Sequence, residues 1–134
     1  MDIKPFLLIG GVSLILNNIT PIPPQPELIP AAVTVYCDEG TTATGTQTRN
    51  GICAYSEEYL GATIILYQRL PDGKVGDILG YFDVEDTGGN PGIANGTVVD
   101  VWKSVDEMPE FIKLTYENGC QGKVYIQIIP EVSG

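Results

Sequence analysis

The densest set of chemistry-bearing residues is Glu85-Asp86-Thr87-Gly88-Gly89, where an apolar run meets a glycine-rich stretch. A carboxylate at such a junction is held by a strand, yet it faces a loop whose backbone approaches a ligand closely. A second acid, Asp100, stands alone among apolar residues in Val98-Val99-Asp100-Val101-Trp102. Strand alternation places Val98 and Asp100 on one face and Val99 and Val101 on the other. Such an acid either faces water or is buried with a partner. Burial raises its pKa and makes it a usable proton donor near neutral pH. Two placed carboxylates are tools of general acid and base catalysis. The plainer reading is that Asp86 caps a turn through its side chain and Asp100 faces solvent.

The rest of the composition narrows the chemistry. The 134 residues carry 7 Lys and Arg against 17 Asp and Glu, a formal charge of −10. So acidic a chain is a poor grip for phosphate backbones, so nucleic acid is not an expected partner. Histidine is absent, with its general-base and metal-binding roles and every Ser-His or Cys-His nucleophile. Cys37, Cys53 and Cys120 form no Cys-x-x-Cys pair, so neither a zinc site nor any other metal or cofactor is expected. Cys37 and Cys53 are spaced to close a hairpin-like loop as a disulfide, but three partly buried thiols are the favoured reading. Asp86-Thr87-Gly88 also spells the aspartic peptidase triplet, which requires two carboxylates sharing a proton and therefore a dimer of so short a chain. Glu85 precedes that triplet where an apolar residue is expected, and Asn90 and a proline follow it.

The elements that must hold these acids are mostly strands. Ala31–Cys37, Gly51–Tyr55, Ala62–Gln68, Ile78–Glu85, Thr97–Trp102 and Val124–Ile129 are β-branched or aromatic runs separated by turn residues. Asp38–Asn50 and Thr87–Gly96 read as loops. Ser104–Asn118 reads as the one short helix, with Ser104 and Glu107 at capping-box spacing and Gly119 at its end; Pro109 lies deep inside it. Short strands at regular spacing predict an all-β, six-stranded barrel. The segment 1–20 differs: residues 5–16 are largely apolar but too few to span a membrane, so no stable span is expected. They suit a secretory signal, although Asp2 and Lys4 cancel its positive flank; equally they suit a first strand or a segment that docks on a partner or a second copy. Residues 21–30, with four prolines in Pro21–Pro26, read as a stiff spacer, which puts the folded domain at 31–134. Asn18-Ile19-Thr20 and Asn95-Gly96-Thr97 match the glycosylation sequon and are read as chance.

A family resemblance joins these pieces. Gly80–Gly89, Ile93-Ala94-Asn95-Gly96 and Val99-Asp100-Val101-Trp102 resemble the three-aspartate ("3D") domain. This domain occurs in membrane-bound lytic transglycosylase A and in stationary-phase survival and resuscitation-promoting proteins. Thr42–Thr46, Gly51–Ala54, Leu60–Thr63 and Lys123–Ile129 fit the same pattern in the same order, so the resemblance covers about residues 33 to 130. It implies a double-psi β-barrel that cleaves the glycan strands of peptidoglycan, with Asp86 and Asp100 as the second and third family aspartates. Ser56 stands where the first is expected. It implies further that Asp86 and Asp100 carry catalysis, one as the acid/base and the other tuning its pKa, and that Thr87, Gly88 and Gly89 shape the sugar groove; Tyr36 and Tyr81 are candidates to stack on sugars, although a buried tyrosine is the commoner case. A bacterial or phage-encoded protein of the envelope, or a secreted one, follows. The alternative is a non-catalytic glycan-binding or structural barrel of an envelope or phage-tail assembly.

Overall fold

The β-branched runs fold as their alternation requires, with one residue set inward and the other outward. The computed structural model describes residues 27–131; the apolar segment, residues 21–26 of the proline spacer and the first sequon lie outside them. Six strands follow in order: β1 (Ile29–Tyr36), β2 (Ile52–Ala54), β3 (Thr63–Arg69), β4 (Val75–Asp86), β5 (Val98–Trp102) and β6 (Lys123–Ile129). They close into one barrel in the order β1-β5-β2-β4-β3-β6. The β1/β5 and β2/β4 pairs are parallel; the other four are antiparallel. The expected all-β, six-stranded barrel is therefore present. Strand β1 starts at Ile29, so Ile29 and Pro30 belong to the barrel rather than to the spacer.

A six-stranded barrel has room inside only for side chains. Ile64 and Leu66 of β3, Val84 of β4, Val99 and Val101 of β5, and Val124 and Ile126 of β6 fill it, all fully buried. Burying each such side chain stabilises the fold by about 1.5–3 kcal/mol relative to exposure. Phe111 plugs this core from α2 (Met108–Tyr116), edge-on to Phe82 with ring centroids 5.9 Å apart. The Lys103 ammonium covers the Phe111 ring at 4.8 Å. Pro109 falls in the first turn of this helix, where a missing N–H is harmless. The capping box does not form: the Ser104 carbonyl, not its hydroxyl, accepts from the Glu107 and Met108 amides, both at 3.0 Å.

One further sequence expectation is corrected in detail. The stretch 87–96 is not all loop but holds a second helix, α1 (Pro91–Asn95). The Asn90 side chain caps it by accepting from the Gly92 amide at 2.7 Å, and Pro91 takes the first helical position. Gly96, at φ 86°, ends it in the left-handed conformation that glycine adopts without strain. The Asn-Pro pair after Gly89 is thus a helix start. As for the cysteines, no disulfide joins them; Cys53 and Cys120 are buried and Cys37 half-buried, as thiols.

One buried polar side chain ties α2 to the barrel. Gln68, 1% exposed, donates from Nε2 to the Leu114 carbonyl at 3.0 Å, near the helix end where carbonyls lack helical partners. Its Oε1 accepts from Asn118 Nδ2 at 3.1 Å. Replacing Gln68 by Leu keeps the volume but removes both bonds, and with them the one its Oε1 accepts from the Asp77 amide at 3.4 Å. We expect Gln68→Leu to lower the unfolding free energy by about 1–3 kcal/mol in urea titrations; an unchanged midpoint would refute this clasp.

Candidate active site

The three-residue strand β2 lies between β4 and β5, and this sets the site. Ala54 is opposite Asp100 on one side and opposite Asp86 on the other. Between Cys53 and Ala54 the register slips by one residue of β4: Val84 faces Cys53, but Asp86, not Glu85, faces Ala54. Such a bulge re-aims a side chain. In β5, Val99 and Val101 point into the core and Asp100 points out, half-buried, as the alternation predicted. Strand β1 runs parallel to β5 with Thr34 beside Asp100 and Tyr36 beside Trp102. The outer faces of these strands bring Asp86, Asp100, Thr34 and Tyr36 together.

The hydrogen bonds divide the labour between the two acids. The Tyr36 hydroxyl donates to Asp86 Oδ2 at 3.2 Å, and the amides of Ala43 and Thr87 donate to Oδ1 at 3.1 and 3.0 Å. Asp86 is thereby fixed, and it does cap the turn into Thr87. Asp100 accepts from the Thr34 hydroxyl at 2.8 Å. Burial raises the pKa of Asp100; the hydroxyl of Thr34 opposes this, while the charges of Asp38 and Asp86 add to it. The Tyr36 phenol is pushed up as well, first by burial and then by the charge and hydrogen bond of Asp86. Cys53 in the adjoining core is pushed up chiefly by burial, and it remains a thiol.

The Asp38–Asn50 loop covers this face and is more ordered than its Thr/Gly composition suggests. Trp102 Nε1 donates to the Asp38 carbonyl at 2.9 Å. Thr42, buried, shares its hydroxyl with Thr44 and Thr46. Glu85 receives the Thr46 hydroxyl and an ion pair from Arg49, and these hold its pKa below the usual range, the Arg49 hydrogen bond contributing most. Thr34, Arg49 and the Ala43 amide escaped the sequence reading. The signal for Thr34 was its alternation with Tyr36; for Arg49 it was a lone cation in an acidic chain. The amide left no signal in side-chain identity.

The remaining sequence candidates separate. Tyr36 joins the acids through its hydroxyl. Tyr81, 59% exposed, lies five residues before Asp86 on β4, opposite Ile65 of β3. A Cβ on Gly88 would lie 2.8 Å from the terminal methyl of Ile93 of α1, which would have to shift; Gly89 has open space around it. Gly88 and Gly89 are exposed, and among the described residues their amides donate no hydrogen bond. Ser56 is buried at the end of β2 and brings no carboxylate to the site. Tyr55 pins the glycine loop from below, its hydroxyl donating to the Gly96 carbonyl at 2.8 Å. Two clefts of about 430 and 550 Å³ lie toward the start of β4, and the acid pair lines neither. Among the described residues no three His, Cys, Asp or Glu are grouped to hold a metal ion, and no helix is long and apolar enough to cross a membrane.

In comparisons with known proteins, no protein-family model and no curated protein matched the chain.

Asp100 and Glu85, the neighbour of Asp86 that faces away, have opposite effects on stability. Asp100, with its pKa raised in the fold, binds a proton more tightly folded than unfolded, so its ionisation destabilises the protein once pH exceeds the ordinary Asp range near ~3.9. Glu85, with its pKa lowered, stabilises above the ordinary Glu range near ~4.3, and this is lost as pH falls. At pH 7 we therefore expect Asp100→Asn to raise the melting temperature and Glu85→Gln to lower it. Both differences should close as acid protonates the wild-type carboxyls. Calorimetry across pH checks the signs; a destabilising Asp100→Asn would contradict the burial argument.

Proposed function

We propose that the chain is a peptidoglycan-cleaving domain of the lytic transglycosylase kind, with Asp100 as acid and base and Asp86 as the fixed carboxylate beside it. The observation that carries this reading is that both acids share one outer face, Asp86 held by the Tyr36 hydroxyl and Asp100 by that of Thr34, with the proton affinity of Asp100 raised. Such cleavage needs neither a carboxylate nucleophile nor an activated water. Asp100 gives its proton to the glycosidic oxygen as the bond to the anomeric carbon breaks. The sugar's own C6 hydroxyl then attacks that carbon, and Asp100 takes its proton, which restores the acid. Hydrolysis would call for two carboxylates flanking the bond in separate roles.

Several features support the reading. Asp86 accepts from three donors, which engage both of its oxygens, whereas Asp100 keeps one oxygen without a protein donor among the described residues. Gly88 and Gly89 are exposed shortly after Asp86 in the chain, and their amides are not used by other described residues, which suits donation to sugar hydroxyls. Parallel β1/β5 and β2/β4 pairs inside a closed six-stranded barrel suit the double-psi connectivity of the three-aspartate domain. Peptidoglycan as substrate carries an envelope or secreted location with it.

The second reading is a glycan-binding or structural barrel without turnover. Ser56 in place of an acid favours it, as does the absence of Asp86 and Asp100 from the lining of the clefts of about 430, 460 and 550 Å³.

Mass spectrometry of soluble products from purified sacculi separates the two. Cleavage predicts anhydro-muropeptides, a rate that falls as pH rises through the raised pKa of Asp100, and a loss of about 10²–10⁴-fold in Asp100→Asn. Co-sedimentation with sacculi and no soluble product would establish the second reading and exclude the first.

A further inference from the structure

A cleft at the far end of the barrel has a charge character unlike the rest of the chain. It measures about 430 Å³, within the size range of small-molecule sites. Arg69 and Lys123 line it, and no acid does, although the chain as a whole carries 17 acids against 7 bases. Leu70 and Pro71 form a wall shared with the neighbouring cleft, which holds Asp72 and Asp77. The cations are thus collected on one side of that wall and the acids on the other.

The cleft is a built feature rather than a gap between mobile side chains. Arg69 donates from Nε to the Val124 carbonyl at 3.1 Å and from one Nη to the Ala31 carbonyl at 3.0 Å. Two of its five N–H groups are thereby used, and the guanidinium is locked with three donors remaining. Its plane lies over the Tyr125 ring, 5.6 Å from the centroid. The Tyr125 hydroxyl in turn donates to the Gly73 carbonyl and holds the 71–73 turn as one rim. The other rim is the turn through Gly119 and Gln121; a Cβ on Gly119 would lie 3.0 Å from Pro71, so the two rims meet closely there.

We infer that this cleft binds a small monocarboxylate with a short apolar or aromatic body. The locked guanidinium and the Lys123 ammonium recognise the carboxylate. Leu70, Pro71 and the Tyr125 ring cover the body. A net charge of −10 opposes multiply charged anions at long range, whereas a single charge paired with two cations and a buried body gains on both counts. The site is separate from the acid pair, so the inference does not rest on glycan cleavage.

The test is a titration of the full chain with benzoate at low ionic strength, followed through backbone amide NMR shifts. We expect saturable shifts at Gly73, Gln121 and Lys123 in the millimolar range, and none there with benzamide, which has the same shape without the charge. Lys123 is exposed, so Lys123→Gln keeps the fold and should weaken benzoate about two- to fivefold. Inorganic phosphate should bind more weakly than benzoate. Absence of saturable shifts, equal response to benzamide, indifference to Lys123→Gln, or tighter binding of phosphate would each overturn the assignment.

Discussion

The spacing between neighbouring strands governs this site. Because β2 lies between β4 and β5 and its Ala54 is opposite both acids, Asp86 and Asp100 stand two strand spacings apart, about 10 Å between backbones. That is too far for backbone contact and near enough for one side chain to mediate. Tyr36, on the strand beyond β5, reaches Asp86, and its phenol is held neutral by burial and by both carboxylates. The bulge at Glu85 is what makes the arrangement possible. Without it, strand alternation would place Glu85 opposite Ala54, and Asp86 would fall on the other side of the sheet.

Holding two acids on one face has an electrostatic cost, and the surroundings offset it unevenly. Asp86 is surrounded by donors, among them two backbone amides that a loop and a turn aim at it. Glu85, its neighbour in sequence, faces away into a pair with Arg49. Asp100 receives only the Thr34 hydroxyl and stays under-compensated. Uneven compensation of this kind separates acids into different roles, and it marks sites where stability has been surrendered locally. The cations follow a similar economy. Arg49 anchors the covering loop, Lys103 lies over the aromatic plug, and Arg69 clamps two carbonyls at the opposite end.

Much of this was legible before any fold was known. The alternation around Asp100 correctly separated its outward face from the buried valines, because a strand has period two and the flanking residues are strongly apolar. All six strands lie where β-branched runs predicted them, with ends moved by a few residues. The misses share a cause. Helix α1 is only five residues long and is specified by a cap, Asn90-Pro91, and by Gly96, rather than by any apolar period. The capping box at Ser104 had the right spacing, but the chain turns once more before the helix begins. Tyr81 matched the site by residue type alone; nothing in the sequence gives its distance from Asp86 along an extended strand.

The amino-acid order by itself determined which segments form strands, that histidine and Cys-x-x-Cys chemistry are absent, and that carboxylates are the candidates for proton transfer. Each of these follows from local composition and periodicity, which a linear chain carries in full. The three-dimensional fold decided which acids meet. Barrel closure brought residue 36 beside residue 86 and residue 34 beside residue 100, and one bulge chose Asp86 over Glu85. Burial then differentiated the carboxyls. Solvation and through-space charge depend on neighbours distant in the chain, so the proton affinity of Asp100 is a property of the barrel rather than of the residues beside it.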